Sequence, residues 1–261
     1  MSDDFKMEPS DLALSDEAGD EMHIHKPKAA HSLREFLSEI SIIVVGIAIA
    51  LAGEQAVEAV HRNIEVSALR LDLRAESRQI ETDAQKCEAQ SDYELRWLNK
   101  RIAQVQATVW QGRSLAAHEP NDEPTCASPD IPIWRSARSG GKTNLLTKDE
   151  VTAYAEVEYV QTHLDLYRQD SEKAKGVVRG FNRQFLTLPD GKPDFSVATP
   201  QDLRDYLLLL TNSANSIDKY RSWLRILIGA EDAIVAGKGN LNDIFASERK
   251  AGYGNVTHDP M

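Results

Sequence analysis

The chain has only two cysteines, Cys87 and Cys126. That is too few for a disulfide-stapled scaffold or for a zinc site built from paired CxxC motifs. Basic clusters are missing, and the formal net charge is −11, which argues against a nucleic-acid partner held by phosphate contacts. Gly and Pro are sparse, at 14 and 10 residues, so neither a fibre nor a wholly disordered chain is indicated. No repeat is visible, and no stretch alternates as a half-buried strand does.

Familiar catalytic patterns are missing as well. No HExxH, DxD or Ser-His-Asp grouping stands out. Gly140-Gly141-Lys142-Thr143 resembles the end of a phosphate-binding loop, but that loop needs Gly where Ser136 stands and a strand before it. His163 and Asp165 are two residues apart, as are Glu156 and Glu158, so neither pair shares a helical face. His61 and Glu65 are four apart and read as a solvated helix pair. His23, His25 and His31 lie in an acidic tail with no fixed geometry to hold a metal. No catalytic, cofactor or metal residue is assigned, and the chain is not expected to be an enzyme.

The one long apolar run is Ile40 to Gly53, bounded by Glu39 and Glu54. Fourteen residues cover about 21 Å, short of the ~30 Å hydrocarbon core. Phe36 to Val57 covers about 33 Å, enough to cross with little tilt. Glu39 and Glu54 then sit near the edges, where a carboxylate reaches headgroup water. A membrane-spanning helix within residues 32–60, with its core at 37–57, is the reading adopted. A buried core helix is one rival. A cleavable signal peptide is the other, since Ala50-Leu51-Ala52 precedes Gly53 as a small-x-small site. The long acidic stretch before the run and the helical pattern continuing past Gly53 oppose cleavage. Lys26, Lys28 and Arg34 precede the run, whereas only Arg62 follows it closely. Positive-inside logic therefore keeps the N-terminus in the cytoplasm and exports the rest. Within the run, Gly46, Ala50 and Gly53 share a helical face that lets two backbones approach closely in lipid. A homo-oligomer is thus one expected partner state, with the bilayer itself as the other contact.

Residues 1–31 read as a disordered acidic tail. Beyond the span, Val66, Leu69, Leu73, Ile80, Ala84, Cys87, Leu98, Ile102, Val105 and Val109 recur at helical spacing, with Glu76 and Ser91 as interruptions. Gly112 is the expected stop, and an unbroken helix from Glu54 would run about 87 Å. Residues 112–130 read as a loop carrying Cys126. In an exported domain the two cysteines are expected to form one bridge, pinning this loop to the long helix. Closing a loop of this size corresponds to roughly 4 kcal/mol in the chain-entropy account. Pro132 starts a short helix that Gly140-Gly141 ends, with Trp134 and Ala137 on one face and Trp134 as a plug for the bundle. Thr147-Lys148-Asp149-Glu150 is a capping box for a third helix, whose stripe begins at Tyr154. Thr199 and Pro200 open a fourth, which Gly237 closes. Residues 238–261 are expected to be mostly unstructured, with one short turn at Leu241–Phe245. Asn255-Val256-Thr257 matches a glycosylation sequon, a pattern common by chance.

The expected fold is all-α: one N-terminal transmembrane helix continuing into a long-helix antiparallel bundle, coiled-coil-like, over residues 61–237. The stretch HSLREFLSEISIIVVGIAIALAGEQAVE resembles the opening of uncharacterised bacterial single-pass envelope proteins with a V-G-x-x-I-A-L spanning helix. Trp134, Ala137 and Gly140 likewise resemble a W-x-x-A-x-x-G region that such proteins carry after a Cys-containing loop. The resemblance implies inner-membrane anchoring and a periplasmic helical domain, and it brings no activity with it. The functional expectation is a structural or partner-docking envelope protein. The alternative is a periplasmic sensor or ligand-binding module without its own output domain.

Overall fold

The structure, a computed structural model, describes residues 32–113, 115, 125–186 and 193–251. The tail histidines and the sequon lie outside the described residues. Among the described residues five α-helices appear in chain order: α1 (Leu33–Gln111), α2 (Pro132–Ser139), α3 (Lys148–Asn182), α4 (Pro200–Val235) and α5 (Leu241–Ala251). Among the described residues there is no strand, only an isolated bridge between Leu186 and Pro193. The chain is all-α, as its periodicity predicts.

The chain divides into two units, one ending at Val57 and the other starting at Glu58. In the first, α1 contains an 18-residue window of mean hydropathy 2.3, none of it buried within the protein. By length and composition this helix can cross a membrane. Gly46, Ala50 and Gly53 are all exposed along it.

The second unit is the bundle. Its helix ends follow local chemistry. Gly112 adopts a φ of 66° just past α1, and Gly237 one of 76° just past α4; a side chain at either would be strained there. Thr147 and Thr199 both complete capping boxes, with Glu150 and Asp202 answering them, so two otherwise unpaired N–H groups are satisfied at each helix start.

Ion pairs record how the helices run. On α1 and α3, Arg70 meets Glu150 at 2.7 Å, and Glu94 meets Lys175 at 2.7 Å. Both residue numbers rise together, so these helices are parallel. On α4, Arg225 meets Glu88 and Arg221 meets Asp92; here one number rises as the other falls. The expected antiparallel arrangement therefore holds for α4 against both α1 and α3, while α3 runs parallel to α1. Between α1 and α3 the chain travels back along the bundle: Cys126 lies beside Cys87, and the start of α2 beside Glu76. That return brings α3 in at the same end as α1.

Two buried clusters fill the bundle. One gathers Leu73, Ile80, Ala84 and Cys87 of α1 with Trp134, Val157, Leu164, Tyr220, Leu224 and Ile244. The other gathers Leu98 and Val105 with Val178, Phe195, Tyr206, Leu210 and Ile217. Each large aliphatic so buried contributes about 1.5–3 kcal/mol. The second cluster also encloses Arg101, whose guanidinium carbon lies 5.3 Å from the Phe195 ring centre and 5.7 Å from that of Tyr206, a favourable cation–π geometry.

The C-terminal expectation needs correction. Residues 241–251 form a full helix, α5, not one turn in an unstructured tail. Asn240 accepts from the Asp243 N–H at 3.0 Å and so caps it. Ile244 is fully buried, and Gly229 of α4 gives α5 its seat. A Cβ at Gly229 would stand 2.9 Å from the Glu248 Cα. Leu241, Ile244 and Phe245 share the inward face of α5, but the buried position that extends this face is a glutamate, Glu248, so the apolar pattern is short.

Candidate functional site

Of the residues singled out by sequence, Cys87, Cys126, Trp134 and Tyr154 lie where the returning segment and α2 pack on α1 and α3, whereas Gly46, Ala50 and Gly53 do not. Cys87 and Cys126 are at disulfide distance, with Cα atoms 5.3 Å apart, inside the range a bridge requires. The segment after Cys126 is held by more than sulfur. Tyr220 donates its hydroxyl to the Cys126 carbonyl at 3.0 Å. Gln161 donates to the Pro129 carbonyl, and the Thr125 N–H donates to Glu172. Burial pushes the Tyr220 hydroxyl up to about 12, so it remains a donor at neutral pH.

Trp134 is the anchor of α2. Its ring stacks on Tyr154 at 5.4 Å between centres, and its indole N–H donates to Glu158 at 2.9 Å. Arg138 donates to the same Glu158 oxygen at 2.5 Å. Glu158 thus serves the anchor and the ion pair at once. Tyr154 is buried behind Trp134, and its hydroxyl is pushed up to about 12, first by burial and then by the nearby Glu231. Ala137 is buried beside Trp134, and a Cβ at Gly140 would press on the Ser136 carbonyl at 3.1 Å. The W-x-x-A-x-x-G spacing is therefore the spacing of a ring that fills, a small residue that fits, and a stop.

Sequence reasoning missed the residue beneath α2. Glu76 accepts from the Ile133 N–H at 2.6 Å and from the Trp134 N–H at 3.1 Å. The helix has no side-chain cap of its own at Ile131; a carboxylate from α1 supplies it. Burial raises the Glu76 pKa above the ordinary carboxylate value, and the two N–H donors oppose that rise. A carboxylate on an apolar stripe was the available signal. Two further buried acids, Glu231 and Glu248, were also missed. Burial pushes each up to about 8, with Glu76 and Glu81 adding to the effect at Glu231 and Glu156 at Glu248.

Two surface clefts flank these features. One, of 540 Å³, is lined by the edge of Trp134 together with Arg138, Thr143, Glu158, Tyr159 and Thr162. Neither Tyr154 nor Tyr167 opens into it; Tyr167 stacks instead on Trp223 at 5.7 Å. The other, of 570 Å³, lies between α1 and α4 and is lined by Asp92, Arg96, Asn99, Asn215, Asp218 and Arg221. Its charges are largely satisfied: Arg221 pairs with both Asp92 and Asp218 at 2.5 Å. Among the described residues no three His, Cys, Asp or Glu side chains are grouped to hold a metal. His163 is structural in its contacts, with its ring stacked on Trp223 at 4.8 Å and Nδ1 3.0 Å from the Tyr159 carbonyl oxygen.

The fold and these contacts define a class: an all-α protein with one apolar helix able to cross a membrane and a helical bundle beyond it in sequence. No family model, curated protein or solved structure matches the chain.

Proposed function

We propose that this is a membrane-anchored bacterial envelope protein of structural or partner-docking type. The apolar segment of α1 lies in the inner membrane, the N-terminus faces the cytoplasm, and the bundle is periplasmic. The observation that carries the reading is the apolar window of α1, hydropathy 2.3, with none of it buried. A core helix of a soluble protein would bury such a window, because leaving it in water forfeits about 25 cal/mol for each Å². The disulfide-distance cysteines fit an oxidising compartment. The flanking Lys26, Lys28 and Arg34 support the orientation.

Docking is favoured over catalysis by what α1 leaves uncovered. Val57, Val60, Ile64 and Leu71 are each more than half exposed, although they share the helical spacing of an apolar seam. The cleft at Trp134 supports the sensor alternative, but Tyr154 and Tyr167 do not complete an aromatic pocket there. Topology is tested with alkaline phosphatase fused after Val235, which is active only if exported. An inactive phosphatase beside an active cytoplasmic reporter at the same point reverses the orientation.

A further inference from the structure

Between the apolar window and the start of the bundle core, α1 has no partner among the described residues. Every residue from Glu54 to Glu65 is exposed, and Leu69 is the first to be buried. Yet this stretch is not polar all round. Val57, Val60 and Ile64 are 58%, 56% and 61% exposed, and Leu71 is 71% exposed. Val57 and Val60 lie at the end of the adopted span, but Ile64 and Leu71 lie beyond it, and a lone helix gains nothing from holding them in water.

Their spacing says what covers them. Reading back from Leu71, the positions Ser67, Ile64, Val60 and Val57 step by four and three alternately. In the sequence the same steps continue without a slip to Gly53, Ala50 and Gly46, the small-residue face of the apolar segment. A 4-3 alternation is the spacing of a helix-helix seam, the same by which Leu69, Leu73, Glu76 and Ile80 enter the bundle core, and here it runs along a face that the bundle leaves open. Val57 and Ile64 fall at the first heptad position and Val60 and Ser67 at the fourth; it is the small-residue face of Gly46, Ala50 and Gly53, where two backbones can approach closely, that favours a pair.

We propose that α1 pairs with α1 of a second copy, as a parallel two-stranded coiled coil along Val57, Val60, Ile64 and Leu71, whose steps continue in the sequence to Gly53, Ala50 and Gly46. This rests on the anchored reading above, which holds two copies parallel and at high effective concentration in one membrane.

The charges agree with a second copy. Glu58, Arg62 and Glu65 lie off the seam, and Glu58 pairs with Arg62 at 3.5 Å within its own helix. The flanking heptad positions hold Glu54 and His61 on one side and Ala56 and Asn63 on the other. In parallel register Ala56 faces His61 and Asn63 faces Ala68, so no like charges meet across the pair. Sterics agree too. Leu71 lies about 200° round the helix from Leu69, on the side away from the core that Leu69 and Leu73 enter. The next seam position is Arg74, a charged residue, so the seam ends where the bundle has taken over. A partner of different sequence would need to match the small residues and the β-branched ones in one register, which the chain itself already does.

The test uses full-length protein in native membranes, with one added cysteine per variant. Val60→Cys and Ile64→Cys lie on the seam; Arg62→Cys and Glu65→Cys lie off it. All four positions are exposed, so none disturbs the core. Mild oxidation is expected to give an adduct of twice the chain mass from the seam variants, several-fold above the off-seam variants and the unaltered chain. Equal yields on both faces, no seam adduct, or an adduct with a different protein overturns the pairing. Carbonate fractionation of the same samples reads anchoring separately. A chain in the supernatant overturns the anchored reading, while the seam is still judged by its adduct.

Discussion

Glu76 on α1 accepts the backbone N–H of Trp134 on α2 at 3.1 Å, so the long helix caps the short one from outside. The residue that interrupts the apolar stripe of α1 is the one that seats the bundle's central tryptophan. Replacing Glu76 with Ala leaves two buried N–H donors without a partner. A loss of about 2 kcal/mol or more is expected, the sum of a cap and an unmet buried donor. Chemical denaturation of the bundle checks it, with Glu76→Gln retaining part of the loss because its amide oxygen still accepts. An unchanged midpoint for Glu76→Ala means that the cap does not matter.

Much of this arrangement was legible beforehand and some was not. The helix ends at Gly112, Thr147, Thr199 and Gly237 were readable because each rests on a local chemical device. The stripes on α1 and α3 were readable because each helix faces the core on one side. α4 hid its depth: Tyr206, Tyr220, Trp223 and Leu227 are buried as well as Leu203, Leu210, Ile217 and Leu224, because neighbours cover it on several sides and periodicity blurs. Trp134 and Tyr154 were visible as large rings at helical spacing, and in the fold they stack at 5.4 Å. Glu76, Glu231 and the Glu94–Lys175 pair were not visible, since a buried charge announces itself only through a partner far away in sequence. The parallel course of α3 depends on the direction of the returning segment, which no local pattern encodes.

The Cys87–Cys126 pair predicts a free-thiol count. Alkylation of freshly isolated envelope without reductant is expected to add nothing to the chain, as measured by intact mass. Two added groups mean that both thiols are free. Reduction, or Cys126→Ser, is expected to speed proteolysis within residues 112–130 while leaving most helix intact. The loop-entropy account gives the bridge about 4 kcal/mol, but the apolar clusters of α1, α3 and α4 do not depend on it.

Glu231 and Glu248 predict a pH dependence with a definite sign. Both carboxyls are held up to about 8 in the folded protein, above their value in the unfolded chain. The unfolded chain therefore releases these protons first as pH rises. Stability from these groups is fully present below the ordinary carboxylate range and is lost as pH rises through about 8. Thermal unfolding is expected to show a falling midpoint between about pH 5 and pH 9. Glu231→Gln and Glu248→Gln together should flatten that slope and raise the midpoint at the alkaline end. A midpoint that rises with pH in the unaltered chain, or a slope unchanged in the double variant, contradicts the assignment.

The central claim is anchoring by the apolar segment of α1, and alkaline carbonate extraction tests it most directly. Membranes from cells making the full-length chain are washed at high pH, sedimented and probed for both ends of the protein. The account predicts an intact chain in the pellet, recovered only with detergent. A chain released to the supernatant, or one whose N-terminus begins near Gly53, would contradict it.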